Sequence, residues 1–301
     1  VTRGEITPVA TGLPQDGKTD SFNGKTMGET LMKSLWLTGV VTLLACAGLA
    51  HAEAPAGYHL VWSDEFAKDG VPDPAKWRYE TQRNKEGWWN HELQYYAANR
   101  PENARVENGD LIIEARREKL SGAHDYGGQN YTSARLTTNG VAKWTYGFFD
   151  VRAKLPCGVG QWPAIWLLGG WHWPQQGEID IMEEVGFQPT TVYGTLHSPV
   201  TEEDHVHQGS HVEVADLCSA YHNYQAEWAP DHITFFVDNQ PYYTYDKPAD
   251  ANARNWPFDQ PEYLILNLAI GGDWGGQHGV NDAALPARMS VDYVRVYQKA
   301  R

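Results

Sequence analysis

Residues 177–185 read Gly-Glu-Ile-Asp-Ile-Met-Glu-Glu-Val, four acids within a run of β-branched and apolar side chains. Such a run is a strand, and a strand with a purely structural task would not fill its polar face with carboxylates. On a regular strand the residues at i, i+2 and i+4 share a face, so Glu178, Asp180 and Met182 would point together and Glu183 away from them. A β-bulge at Ile181-Met182 inserts one residue and returns Glu183 to the face of Glu178 and Asp180. Two carboxylates on one face with a third between them are the equipment for cleaving a glycosidic bond. One attacks the anomeric carbon; the other protonates the leaving oxygen and then activates water. In the retaining version the carboxyl groups sit about 5–5.5 Å apart. Four effective strand steps of about 3.3 Å place the two Cα atoms about 13 Å apart, a gap that two glutamates leaning inward on a bulged strand largely close. Asp180 between them disfavours a second and third negative charge, which helps keep one glutamate protonated. The competing readings are a solvated acidic edge strand or an oxygen-rich calcium site. Without a bulge, Glu184 would be the acid instead.

The elements that must carry these residues are strands. Short β-rich runs broken by Gly, Pro, Asn and Asp cover 110–115, 131–138, 144–155, 161–168, 178–185, 191–197, 224–228, 232–237, 263–270 and 289–297. Ten runs without a convincing amphipathic helix predict an all-β sandwich. Ala229-Pro230-Asp231 joins two of them as a hairpin, with Ile233, Phe235 and Val237 alternating on one face. No repeat or linker interrupts residues 58–297.

The N-terminal part reads differently. Residues 1–31 are polar and without periodicity, and are expected to be a disordered extension. Residues 34–50 carry no charge and are dense in Leu, Val and Ala, and Ala50-His51-Ala52 supplies small residues where a signal peptidase reads. Residues 32–52 are therefore expected to be a secretory signal, leaving 53–301 as one domain that is secreted or periplasmic, with no membrane contact after cleavage. A transmembrane anchor needs roughly 20 apolar residues, and lipid attachment at Cys46 is a minor alternative. In an oxidising compartment Cys157 and Cys218 could pair or stay as two buried thiols; spacing alone leaves this open.

Composition narrows the partner. The chain has 24 Lys and Arg against 38 Asp and Glu, a net charge of −14 over 301 residues, which argues against nucleic acid. Thirteen tryptophans exceed what a core of this size needs.

The run 177–186 resembles the signature of glycoside hydrolase family 16, in the bulged form of laminarinases, the endo-β-1,3-glucanases. Other stretches agree in order: Trp62-Ser63-Asp64-Glu65-Phe66, Glu92-Leu93-Gln94-Tyr95-Tyr96, residues 131–136, Trp162-Pro163-Ala164-Ile165-Trp166-Leu167, residues 264–272 and residues 291–297. The resemblance implies a concanavalin-like β-jelly-roll of two antiparallel sheets with a concave cleft for β-glucan. It implies Glu178 as nucleophile, Asp180 as its assistant and Glu183 as acid/base; hydrolysis by two carboxylates needs no cofactor, and a monomer is the default expectation.

Sugar platforms follow from the aromatic residues. Trp162 and Trp166, four apart on one strand, share a face and match tryptophans lining the family's cleft. Trp171 and Trp173 lie on the loop leading into the acidic strand and are further candidates, with burial in the core as the alternative. Arg135 and Asn90 match positions that resemble sugar-hydroxyl ligands, although laminarinases usually carry two consecutive Asn and this chain has His91 second. His197, with Tyr193 and Thr195 on its face, could reach the acid/base. The resemblance also implies a structural calcium near Glu65, Gly109 and Asp292, held partly by main-chain oxygens.

Two rivals remain open at this level. His205, His207, His211 and Glu213 prompt a metal-binding jelly-roll, against which residues 201–210 lack strand periodicity. A glucan-binding protein without catalysis is the other, and the presence of both glutamates favours an enzyme. Mixed-linkage glucan and agarose are the alternative substrates.

Overall fold

The computed structural model describes residues 55–170 and 172–300, and the expected polar extension and signal segment lie outside them. Seventeen strands form. The first seven are β1 (Tyr58–Asp64), β2 (Arg78–Tyr79), β3 (Gln94–Tyr96), β4 (Ala104–Glu107), β5 (Asp110–Arg117), β6 (Tyr131–Ser133) and β7 (Arg135–Thr137). Then come β8 (Gly147–Lys154), β9 (Gln161–Leu168), β10 (Glu178–Glu183), β11 (Thr191–His197) and β12 (Gly209–Glu213). The last five are β13 (His222–Trp228), β14 (His232–Val237), β15 (Gln240–Asp246), β16 (Tyr263–Ile270) and β17 (Ala287–Lys299). The one α-helix among the described residues is a single turn, α1 (Pro199–Glu203), capped by Ser198; no helix there is long and apolar enough to cross a membrane.

The strands form two sheets. One runs β15-β14-β13-β8-β17-β5-β6-β3, with β1 on β17 and β4 on β5; the other runs β12-β11-β10-β9-β16-β7-β2. All pairings are antiparallel, as expected, except β3 with β6 at one edge of the larger sheet. The predicted hairpin forms between β13 and β14, and Ile233, Phe235 and Val237 are buried.

Alternation along the strands of the smaller sheet fills the core from one face. Ile165 and Leu167 on β9, Ile179 on β10, Val192 and Leu196 on β11 and Leu264, Leu266 and Leu268 on β16 all join a single apolar cluster with the larger sheet. Their neighbours in sequence are thereby turned to the outer face. This is how a period of two positions a site: burying one set of residues aims the other.

Residues 131–138, expected to be one strand, are two. Tyr131–Ser133 pairs in the larger sheet and Arg135–Thr137 in the smaller, with fully buried Ala134 at the crossing. Residues 201–210, expected to be irregular, hold most of α1 and lead into β12, an edge strand beside β11. Cys157 and Cys218 form a disulfide with Cα atoms 5.7 Å apart. It closes a loop with a sequence separation of 61, a constraint on the unfolded chain worth about 4 kcal/mol in the loop-entropy picture.

Candidate active site

The bulge at Ile181-Met182 is present. The β9 register steps Asp180↔Trp166, then Met182↔Ile165 and Glu183↔Ala164, and on the other side Asp180↔Thr195 is followed by Glu183↔Tyr193. Ile181 and Met182 are both fully buried in the core cluster, so two successive side chains point inward and Glu183 returns to the outer face. Gly177, at φ +77, makes the turn into the strand; its Cα faces Phe258 and the Glu262 carboxyl, so a β-carbon there would sit 3.0 Å from Phe258.

Because paired residues of an antiparallel ladder share a face, three rows cross the outer face of the smaller sheet. One runs Arg135, Asn267, Ala164, Glu183, Tyr193, His211. The next runs Thr137, Ile265, Trp166, Asp180, Thr195, Gly209. The third runs Tyr263, Leu168, Glu178, His197. The three acids therefore stand together, flanked by Trp162 and Trp166 from β9 and by His197 from β11.

Their electrostatics are dominated by burial. Burial, then the Asp180 charge, raise the pKa of Glu178 well above the carboxylate range. The same two causes bring Glu183 to about 8, against the opposing pull of His197 and of the Trp162 indole N–H, which donates to Glu183 Oε1 at 3.0 Å. Burial alone would lower the pKa of His197, but Asp180, Glu202 and Glu178 outweigh it and raise it well above the usual value. Its Nε2 lies 3.0 Å from Asp180 Oδ2 and its Nδ1 2.6 Å from Glu202 Oε1. The Asp180 contact is an ion pair without a well-aligned hydrogen bond, since Oδ2 has no donor directed at it.

Glu184 is not on this face. It is fully buried, neither carboxyl oxygen has a partner, and burial pushes its pKa up to about 9; the fallback role as acid therefore falls away with the bulge in place. The folded protein keeps a proton on Glu184 that the unfolded chain releases from its ordinary 4.5 upward. Stability contributed below that value is lost progressively as pH rises toward about 9. Glu184→Gln is expected to stabilise the protein relative to wild type by at least about 1 kcal/mol at pH 9, roughly 2–4 °C in Tm, with a smaller effect at pH 5. Thermal unfolding at the two pH values checks this; a difference independent of pH would refute it.

The remaining predicted residues are placed as follows. Trp162 and Trp166 are half-exposed on the outer face, and Trp162 meets Trp274 edge-on at 5.5 Å. The Trp166 indole N–H donates to Asn267 Oδ1 at 2.8 Å, Asn267 donates to Tyr96, and Gln94 donates to Glu92 behind them. Arg135 is nearly buried: its Nε–H donates to Glu80, and its guanidinium lies between the Trp88 and Trp166 rings at 5.2 and 4.6 Å. It supports the Trp166 platform from below. Asn90 is exposed in a left-handed turn, its carbonyl accepting from Asp273 N–H at 2.7 Å, and His91 pairs with the Asp273 carboxylate. Trp173 is 46% exposed with its ring 6.1 Å from His197. Trp171 lies outside the described residues.

Trp274, Asn267, Tyr96 and Glu92 were not singled out from the sequence. Trp274 carried a signal, a lone indole between glycine pairs 271–272 and 275–276; Asn267 in the middle of an apolar strand carried another.

Most of the side chains considered as metal ligands already have partners. One ligand-capable atom each from Glu178, Asp180 and His197 lie within 4.8 Å of one another, but both His197 nitrogens face carboxylates, which favour the protonated ring over one with a lone pair free for a metal. His205 and His207 lie in the loop before β12, His211 stacks on Tyr193 at 5.5 Å and Glu213 accepts from Thr190 and Thr191; these four form no three-ligand group among the described residues. At the expected calcium position both Glu65 oxygens meet Arg295 and Asp292 Oδ2 lies 2.5 Å from Arg152, while Gly109 turns β4 into β5. The arginines engage the Glu65 and Asp292 carboxylates, so a calcium at the expected position would be held by main-chain oxygens.

Comparison with known proteins agrees with this geometry. Residues 91–295 match the family model of glycosyl hydrolases family 16. A β-glucanase of Rhodothermus marinus is 46% identical over 283 residues, covering 90% of this chain and 96% of that protein. The crystal structure of SCLam, a non-specific endo-β-1,3(4)-glucanase of the same family, is similar with a TM-score of 0.80 at 55% identity, covering 82% of this chain and 94% of SCLam. A mutant of SCLam co-crystallised with 1,3-β-D-cellotriosyl-glucose holds an oligosaccharide at its active site; it gives a TM-score of 0.79 at 54% identity, covering 82% of this chain and 97% of that one. Two sheets in this order, a bulged acidic strand on the outer face and a match over most of the chain lead to one conclusion: this protein belongs to glycosyl hydrolases family 16 and is a glycoside hydrolase.

Proposed function

We propose that the protein is an endo-acting β-glucanase that cleaves internal β-1,3 bonds of laminarin-type glucan with retention of configuration. The observation that carries this is the return of Glu183, through the bulge, to the face of Glu178 and Asp180. Their partners on β9, Leu168 and Ala164, are four residues apart, the spacing from which two inward-leaning carboxyls can serve one anomeric carbon.

In this reading a Glu178 oxygen attacks the anomeric carbon as the glycosidic C–O bond breaks, and Glu183 gives its proton to the departing oxygen. Glu183, now a carboxylate, takes a proton from water, whose oxygen displaces Glu178 and regenerates both groups. Asp180, paired with the His197 imidazolium, supplies fixed negative charge beside Glu178 and orients it. Trp162 and Trp166 carry the sugar rings, and Trp162 also fixes the Glu183 carboxyl. No step calls for a metal.

SCLam is a non-specific endo-β-1,3(4)-glucanase, and that similarity favours mixed-linkage glucan as a second substrate. A secreted or periplasmic monomer is the matching cellular reading, supported by the disulfide and by the sequence of residues 32–52. The test is reducing-end release from laminarin, lichenan and agarose in parallel, with product anomers followed by NMR. Highest activity on laminarin with the β-anomer appearing first is expected; release from agarose alone, or an α-anomer first, would overturn the reading.

A further inference from the structure

At the β7 side of the outer face, one large indole stands in solvent without a role in the acidic site. Trp89 is 46% exposed, yet it is held in place. The Arg83 guanidinium covers one of its faces at 4.7 Å, Arg83 Nε–H donates to the Gly87 carbonyl, and the edge of buried Trp88 meets Trp89 at 5.9 Å. Leaving an indole face to water has a hydrophobic cost of a few kcal/mol at most, and a rigid exposed ring gains nothing for folding from its open side. Exposed, rigid aromatic surface beside a cleft is the usual form of a binding contact.

The turn that carries Trp89 is joined to the cleft at two points. Trp88 stacks with Arg135, whose other side supports Trp166. The Asn90 carbonyl meets Gly272, which in turn lies against the Trp162 ring, so that a β-carbon at Gly272 would sit 3.1 Å from each. Arg135 on β7 is three strand spacings from Glu183 on β10, about 14 Å across the sheet. A disaccharide lying over Glu178 and Glu183 spans less than this distance, whereas a longer chain running across the strands passes the Arg135 end, where the turn carrying Trp88 and Trp89 packs.

We propose that Trp89, backed by Arg83, is an accessory platform for one pyranose ring of a long β-glucan chain, lengthening the cleft beyond its Arg135 end. This rests on the glucanase reading above. Its apolar face would take the C–H face of a sugar ring, and it would add to binding of polymer without touching the reacting atoms.

The experiment uses the full chain. In a Glu178→Gln background, which stops turnover, affinity for laminarin is measured by retardation in native gels with and without Trp89→Ala. In otherwise wild-type protein, kcat/KM is measured for Trp89→Ala and Trp89→Phe on an aryl β-laminaribioside and on laminarin. Expected are a three- to tenfold weaker laminarin affinity for Trp89→Ala, a matching rise in KM on laminarin at unchanged kcat, partial restoration by Phe and no change on the short aryl substrate. Unchanged laminarin affinity, or an equal loss on both substrates accompanied by a lower Tm, overturns the platform alone. A Glu178→Gln parent that laminarin does not retard overturns the glucanase reading and the platform with it.

Discussion

Glu178→Gln will lower kcat on β-glucan by about four orders of magnitude or more, because an amide oxygen does not form the covalent glycosyl intermediate. The fold will survive, and stability at neutral pH will hold or rise. The raised pKa of Glu178 means that the folded state resists its ionisation, through burial first and then the neighbouring Asp180 charge. A neutral isostere removes that penalty. Reducing-end assays together with thermal unfolding at pH 7 separate the two effects. Turnover within tenfold of wild type would remove Glu178 from the nucleophile's place, and a collapse in Tm would assign it a structural role.

Glu183→Ala will divide substrates by their leaving groups. On laminarin, whose leaving sugar alkoxide must be protonated, the rate falls about 10²- to 10⁴-fold, while an aryl glycoside with an acidic phenol keeps most of its glycosylation rate. The wild-type pH profile should lose activity on the alkaline side as Glu183 gives up its proton near 8, and the variant should lack that limb on the aryl substrate. A uniform loss across leaving groups, with the alkaline limb intact, would assign the proton to another group. The Trp162 indole offers a check: its N–H donates to Glu183, so Trp162→Phe removes a hydrogen bond that favours the carboxylate and should move the limb to higher pH.

The acidic strand was legible because the argument needed only a period of two and a count. On a regular strand Glu183 would face inward; Met182 beside Ile181 marks the bulge that turns it outward, and Glu184 is the acid that is buried instead. Four strands, β9, β11, β14 and β16, form with the bounds expected from their apolar runs. Six strands lie outside the expected runs, β1 to β4, β12 and β15, and each pairs with one other strand only; in β12 and β15 the open side also meets solvent, and half of the apolar signal is missing. The split at Ala134 was invisible for another reason. Inward-facing residues alternate in the same way in either sheet, so a chain can cross between them without breaking its pattern.

Supporting residues were harder to read than reacting ones. Arg135 resembled a sugar ligand, but its guanidinium is enclosed by Glu80, Trp88 and Trp166, partners 55, 47 and 31 positions away in the chain that no local spacing reveals. The arginine partners of Glu65 and Asp292, Arg295 and Arg152, are equally remote in the chain. Charge pairing across a sandwich is a property of the register, which depends on how the sheets close.

The disulfide has a topological meaning as well. Cys157 and Cys218 bracket β9, β10, β11 and β12, so Trp162, Trp166, the three acids and His197 all lie inside one covalent ring. A protease that nicks the exposed segment around His205 to His207 cuts the ring once and opens it to a tether. The two fragments then stay attached and migrate as one species until a reductant is added. The acidic strand keeps its neighbours on both sides, because the cut falls between α1 and β12 and outside the ladders of β9, β10 and β11.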